Sequence, residues 1–421
     1  MTVVRRSRLG NGLRVVTAEM KGVPSATVGI WVENGSRYET PAQSGISHFL
    51  EHLLFKGTER RSAARIAEEI DALGGVLNAF TGKEYTCYYA KVLAEHLPIA
   101  EDVLGDIFLH SRFDPEEIDR ERTVVLQEIL QGEDTPDEHV HDLFSANFWP
   151  ANALGEPICG RPETVESFGR ADFVDFVGAR YRPDRTLVSA AGHLSHDEVC
   201  AWAESVLGRL EGTACMPPAE TPHPRPGVFV TERSIEQVHI CLGVPAVSHC
   251  APERYAAYLL NTALGGGMSS RLFQEIREKR GRAYSVYSFL SSYRDTGYLG
   301  IYAATGPEWV EEVLTVVRDE LTKVTAEGLG ADELARSKNQ LKGNLLLGME
   351  TSDSQMNRVA RNEIFFARDV TPREVADSID AVTHEDILAL ADTLFRPQAM
   401  SLTLLGDLKG RRIGDDILAA A

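Results

Sequence analysis

Two histidines four residues apart with a glutamate beside them, His48-Phe-Leu-Glu51-His52, are the part of this sequence best suited to hold a metal ion. On a helix, positions i and i+4 project from one face, so both imidazoles can reach a single cation. Zinc accepts two imidazoles and a carboxylate and keeps one position open for water. Glu51, three residues after His48, falls near the same face and can take a proton from that water without being a ligand. Ile46, Phe49, Leu50 and Leu53 would anchor the helix in apolar surroundings, where electrostatic interactions are strong. A core helix with two hydrogen-bonded histidines would show the same spacing, so the reading turns on whether a third ligand exists.

The wider stretch, G-I-S-H-F-L-E-H-L-L-F-K-G-T from Gly45 to Thr58, contains the inverted zinc motif H-x-x-E-H. It resembles the pitrilysin/insulinase family of inverzincin metallopeptidases, and within it the half-size group of bacterial processing-type proteases and the β subunit of mitochondrial processing peptidase. The resemblance runs through essentially the whole chain. It implies a third ligand on a later helix, in the context E-R-x-V-V-x-x-E, which here is Glu121-Arg-Thr-Val-Val-Leu-Gln-Glu128. Glu128 is thereby the expected ligand. Glu121 and Glu128 are two helical turns apart and share a face. One carboxylate can bind the metal while the other accepts an N–H from a ligand histidine and sets its tautomer. Taken without the upstream motif, the segment reads as an exposed acidic helix.

Two further segments carry expectations from the same resemblance. Gly74-Gly75-Val-Leu-Asn78-Ala79-Phe80-Thr81-Gly-Lys-Glu-Tyr-Thr86 is similar to the family's G-G-x-x-N-A-x-T-x-x-E-x-T, whose strand lies at a sheet edge beside the zinc and pairs with extended substrate. Gly74-Gly75 permits a tight turn, and Asn78, Ala79 and Phe80 offer backbone groups at an open edge. An ordinary hairpin strand would look the same. In the second half, Gly265 to Ser285 resembles the segment carrying the family's Arg/Tyr pair, which falls on Arg277 and Tyr284. The implied roles are a guanidinium holding a substrate carbonyl and a phenol donating to the developing oxyanion. Without the resemblance, Arg277 reads as a solvated helix residue and Tyr284 as the start of a half-buried strand.

The elements that must position these residues repeat. Strand-like Leu13 to Ala18 and Ala26 to Val32 precede helical patterns at Ala42 to Lys56 and Ser62 to Leu73, strands at Val76 to Thr81 and Tyr85 to Val92, several helices, and a strand at Thr186 to Ala191. The same order recurs from Gly227 to Leu405. Between the halves, Thr213 to Gly227 holds five prolines and excludes regular helix or central strand. The expected fold is α+β, with two homologous domains, each a mostly antiparallel sheet with helices packed on one face. The boundaries predicted are 1–212 for a zinc-binding domain, 213–227 for a Pro-rich linker and 228–421 for a homologous domain. At the position matching Ser47 to Leu54, the second half reads Tyr255 to Thr262 and holds no metal-binding residues. Four such units form a clamshell in longer relatives, so a two-unit chain implies half of that shell and a homodimer.

A chain of 421 residues is long enough for two cores. Its net charge of −19, from 43 Lys+Arg and 62 Asp+Glu, argues against nucleic acid or an anionic membrane as partner. A neutral or basic peptide fits better, although the excess also serves solubility. Six scattered cysteines without a C-x-x-C pair suggest free thiols in a reducing compartment, acting as small buried hydrophobes. No run reaches transmembrane length, and the basic start is not followed by an apolar segment, so a cytoplasmic location is the default.

The function expected is that of a zinc metalloendopeptidase cleaving short or unfolded peptides enclosed in a dimeric chamber. Two other readings belong beside it. A non-catalytic peptide-binding or assembly subunit would be expected to lack parts of the metal motif, and a catalytic subunit that needs a different partner chain would keep them.

Overall fold

The repeated element order becomes two sheets of matching topology in the computed structural model, which describes residues 2–217 and 220–418. The first sheet contains β1 (Val3–Arg8), β2 (Arg14–Glu19), β3 (Ser25–Val32), β4 (Val76–Thr81), β5 (Thr86–Leu93) and β6 (Thr186–Gly192), in the order β1-β2-β6-β3-β5-β4. The second contains β7 (Gly227–Thr231), β8 (Val238–Pro245), β9 (Ala283–Ser292), β10 (Gly297–Thr305) and β11 (Ser401–Leu405), in the order β7-β11-β8-β10-β9. In each, one pairing is parallel (β2 with β6, β7 with β11) and the rest are antiparallel. The expected pair of α+β units with mostly antiparallel sheets is therefore present, and β1 is an addition to the shared plan.

The helices are α1 (Ile46–Leu54), α2 (Ala63–Asp71), α3 (Leu97–His110), α4 (Pro115–Asp134), α5 (Pro136–Phe148), α6 (Pro162–Ser167), α7 (Arg170–Arg180) and α8 (His196–Leu207), then α9 (Arg254–Gly265), α10 (Val310–Glu327), α11 (Ala331–Leu347), α12 (Ser352–Phe366), α13 (Pro372–Ala381) and α14 (His384–Leu394). Two compact units hold them. One comprises Met1–Gln131, Glu156–Ala219 and Gly348–Val370, and the other Gly132–Gly155, Glu220–Leu347 and Thr371–Ala421. Each unit thus takes one helical segment from beyond the Pro-rich stretch. Residues 213–217 and 220–226 of that stretch carry neither helix nor strand, and Pro218 and Ala219 lie outside the described residues.

The exchanged helices cover the second face of each sheet. Alternate residues of β3, Ala26, Val28, Ile30 and Val32, face a core shared with α1 and α3, whereas Trp31 on the other face packs with Met356, Val359 and Ala360 of α12. In the other unit, Phe144 and Phe148 of α5 pack with Cys241, Tyr298 and Tyr302 of the sheet. Strands covered on both faces need apolar side chains on both. That is why β3 reads as Ala-Thr-Val-Gly-Ile-Trp-Val, with only Ser25 at its start not fully buried, rather than as an alternating pattern.

Candidate active site

Helix α1 is nine residues long, too short to be stable alone, so its place is set by packing and by its ends. Ile46, Phe49, Leu50, Leu53 and Leu54 form its buried stripe. At its N-terminus the Glu39 carboxylate accepts the N–H groups of Gly45 and Ser47, both at 2.8 Å, satisfying donors that the helix leaves unpaired. Burial pushes the Glu39 carboxyl up to about 7 despite those hydrogen bonds.

A second constraint comes from the loop before α6. Gly45 has φ +92° and Gly160 has φ +81°, and a Cβ on Gly160 would stand 2.5 Å from the Ser44 carbonyl oxygen. The two backbones can touch only because both residues lack a side chain. Gly160→Ala is therefore expected to destabilise the protein by more than about 1 kcal/mol, combining a left-handed φ with a backbone clash. Urea unfolding measures it, and an unchanged midpoint would show that the loop yields freely.

The polar face of α1 presents His48, Glu51 and His52, and α4 presents Glu121 and Glu128 opposite them. His48 Nε2 lies 3.7 Å from Glu128 Oε1, and His52 Nε2 lies 3.5 Å from Glu128 Oε2. His52 Nδ1 stands 3.2 Å from Glu121 Oε2. The buried Glu121 carboxylate also pairs with Lys56 at 2.7 Å, which holds its position. An Nδ1–H donated to Glu121 leaves Nε2 of His52 as the lone-pair nitrogen facing Glu128.

Protonation follows burial and charge. Burial lowers His48 to about 4, outweighing the attraction of Glu128, so this imidazole is neutral near pH 7. Burial also acts to lower His52, but Glu128 and Glu121 more than reverse it and its pKa is raised. Glu128 is lowered, first by its hydrogen bond with His52. For Glu51, burial raises the pKa and the Thr81 hydroxyl, donating to Oε2 at 2.5 Å, partly offsets it.

These donors fit a zinc ion. With bonds of roughly 2.0–2.2 Å, tetrahedral ligand atoms stand about 3.4 Å apart, close to the separations between Glu128 and the two rings. Among the described residues Nδ1 of His48 is buried with no hydrogen-bond partner, which leaves Nε2, 3.7 Å from Glu128, as the nitrogen facing the donors.

Strand β4 runs beside α1 at the edge of the first sheet and pairs only with β5. Gly74, at φ +62°, turns the chain into it, and a Cβ on Gly75 would stand 2.8 Å from Val92. Along β4, Ala79 faces the α1 side with Thr81, whereas Phe80 packs on the opposite face among Trp31, Tyr85 and Tyr89. Asn78 accepts the Ala79 N–H at 2.8 Å. The side chain of Phe80 is thus part of the sheet's other core, and only its backbone lies along the free edge.

Arg277 and Tyr284 belong to the other unit and meet each other. Arg277 lies in a π-helical turn, Phe273–Glu278, with its guanidinium 4.7 Å from the Phe273 ring and 4.6 Å from the Tyr284 ring. Tyr284 is the second residue of β9, a strand of mixed burial, and is itself 80% exposed. Neighbouring Arg282 stacks on Trp309 at 3.6 Å and pairs with Glu312 at 2.9 Å, a structural role for a charged residue at that position.

Sequence reasoning assigned no role to Thr81, Glu39, Lys56 or Cys159. Thr81 and Lys56 act through contacts distant in sequence, and Glu39 through the loop that leads into α1. Cys159 was grouped with the other cysteines as a small buried hydrophobe, but only Cys87 and Cys241 are buried, while Cys159 and Cys200 are partly exposed and Cys215 and Cys250 exposed. Among the described residues no helix is long and apolar enough to cross a membrane.

Comparison with known proteins identifies the family to which such a chain belongs. The family profile described as Insulinase (Peptidase family M16) matches residues 14–161, and that of the Peptidase M16 inactive domain matches residues 167–341. An uncharacterized zinc protease of Streptomyces coelicolor is 44% identical over 97% of this chain and 91% of its own. The uncharacterized zinc protease YmxG of Bacillus subtilis is 42% identical over 93% of this chain and 96% of its own. In fold, a protease from Helicobacter pylori superimposes with a TM-score of 0.91 at 20% identity, covering 96% of this chain and 99% of that one.

Proposed function

We propose, for a chain that belongs to the insulinase family of peptidases, family M16, that it is a zinc metalloendopeptidase acting on short or unfolded peptides. The observation that carries this reading is the convergence of His48 Nε2 and His52 Nε2 on the Glu128 carboxylate, with Glu51 held beside them by Thr81. His48, His52 and Glu128 would hold the ion. Bound there, zinc supplies a Lewis acid that polarises a peptide carbonyl and lowers the pKa of water.

The chain's own residues do the rest. Glu51 removes the proton from the attacking water and delivers it to the leaving amine, a task suited to a carboxyl whose pKa burial has raised. Glu121 keeps His52 in the tautomer that offers Nε2. The free edge of β4 pairs with an extended peptide through backbone groups at Asn78, Ala79 and Phe80, a mode of binding that reads main chain more than side chains. Gly74 and Gly75 set the turn that presents this edge. Tyr284 donates to the developing oxyanion and Arg277 holds a substrate carbonyl. In this proposal the domains are 1–212 and 228–421 joined by 213–227, and a cytoplasmic homodimer forms the chamber, each chain supplying a complete set of residues.

Zinc content and cleavage of a quenched unfolded peptide test the reading together. One zinc per chain, activity lost to a chelator and restored by zinc are expected, and a metal-free chain that cleaves at the same rate sinks it. A non-catalytic subunit would bind peptide without cutting it. The acidic net charge further favours basic peptides, so added salt should slow their cleavage more than that of neutral ones. Equal slowing removes that preference.

Removing the carboxylate behind His52 has a separate signature. Glu121→Ala is expected to weaken zinc binding by about 10–100-fold, read by competition with a chelator, because the ring loses the group that orients it. Unaltered affinity would reduce Glu121 to a partner of Lys56.

A further inference from the structure

Cys159 sits at the metal donors without having any part in the peptidase reading. Its sulfur, a ring nitrogen of His48 and a carboxylate oxygen of Glu128 all lie within 4.8 Å of one another. His52 is not part of that mutual grouping and meets it through Glu128, whose Oε2 lies 3.5 Å from His52 Nε2. The position is built rather than incidental. Cys159 is held against the start of α1, where its carbonyl oxygen would stand 2.6 Å from a Cβ on Gly45, three residues before His48. The same pair of glycines that lets the loop touch the helix therefore delivers the sulfur to the donor cluster.

The chemistry of the set is complete for a closed site. His48, Glu128 and Cys159 with His52, which approaches Glu128 alone of these, would make four donors, and thiolate is a soft ligand that zinc and cobalt accept readily. Ligand atoms around such an ion stand about 3.4–3.8 Å apart when bonds are roughly 2.0–2.3 Å long. The observed donors lie within 4.8 Å of one another, so binding would draw them closer together. We propose that Cys159 is a fourth, displaceable ligand that occupies the metal's remaining position in the substrate-free protein. The inference rests on the metal-binding reading given above.

Coordination releases the thiol proton to solvent, and no electron transfer is involved. Before a peptide is cleaved the sulfur must leave and regain a proton, which frees the position needed by water. The resting enzyme would hold its metal more firmly than a three-ligand site, and it would start catalysis only after exchanging sulfur for water and substrate.

Cobalt replaces zinc with the same donors and reports sulfur directly through a near-ultraviolet charge-transfer band. The full-length protein is loaded with one equivalent of cobalt and compared with Cys159→Ser and Cys159→Ala, with thermal melts to establish that both variants are folded. The expected result is a sulfur-to-cobalt band in the wild type, its absence from both variants while one cobalt remains bound, and cobalt affinity lower by at least about tenfold in the variants. Bound cobalt without the band in the wild type overturns the proposal and leaves the peptidase reading intact. A band that survives in Cys159→Ser also overturns it, since another thiol is then the ligand. Failure of the wild type to bind cobalt at all removes both this proposal and the reading on which it rests.

Discussion

Glu51→Gln is expected to retain one zinc per chain and to lose about 10²–10⁴-fold in kcat/KM toward an unfolded peptide, the usual contribution of a positioned acid–base group. Glutamine keeps the shape of the side chain and an oxygen that can still accept from the Thr81 hydroxyl, so β4 and α1 remain joined. It cannot take a proton from water. Metal content separates this outcome from damage to the site, because the ligands His48, His52 and Glu128 are untouched. A variant that cleaves as fast as the wild type would falsify the assignment of Glu51 as the base.

Glu84→Ala is expected to lower the unfolding free energy of its unit by about 3–5 kcal/mol, a large part of a typical 5–15 kcal/mol. Glu84 Oε1 accepts from Arg37 Nη1 at 2.7 Å, and the side chains are 4% and 3% exposed. Removing the carboxylate takes from a buried guanidinium the charged partner that stands 2.7 Å away. The location ties this loss to function. The Arg37 N–H donates to the Lys83 carbonyl at 2.8 Å and Ser36 N–H to Gly82 at 3.2 Å, so the same loop clamps the hairpin between β4 and β5. Loosening it also frees Thr81, one residue before the turn, from its hold on Glu51. Urea unfolding followed in parallel with peptide cleavage measures both effects. Replacing both partners, Arg37→Met with Glu84→Leu, should cost less than the single change, since no buried charge is then stranded. A single variant within about 0.5 kcal/mol of wild type, the range of ordinary surface changes, would mean that Arg37 is satisfied elsewhere.

Much of this protein was legible from local pattern, because local pattern carries the geometry of a single element. The i, i+4 spacing of His48 and His52 places both rings on one face of a helix, whatever that helix packs against. The apolar stripe of Ile46, Phe49, Leu50 and Leu53 decided which face of α1 would be buried. The recurrence of strand and helix order announced two related sheets, and the fold contains them with the same strand order and one parallel pairing each.

Tertiary structure decided what depends on two elements meeting. The apolar run of β3 requires cover on both faces, but nothing in its composition says that α12, more than 300 residues later, supplies it. Hydrophobic matching is permissive about partners, and the choice follows from how the whole chain closes. The same holds for polar groups. Thr81 became the restraint on Glu51 and Cys159 a neighbour of the metal donors through approaches between residues far apart in sequence, and Glu39 became the cap of α1 across a loop that carries no periodic pattern. A hydroxyl, a carboxylate or a thiol has no periodicity to betray its partner, so its role is set by distances that exist only once the backbone has been placed.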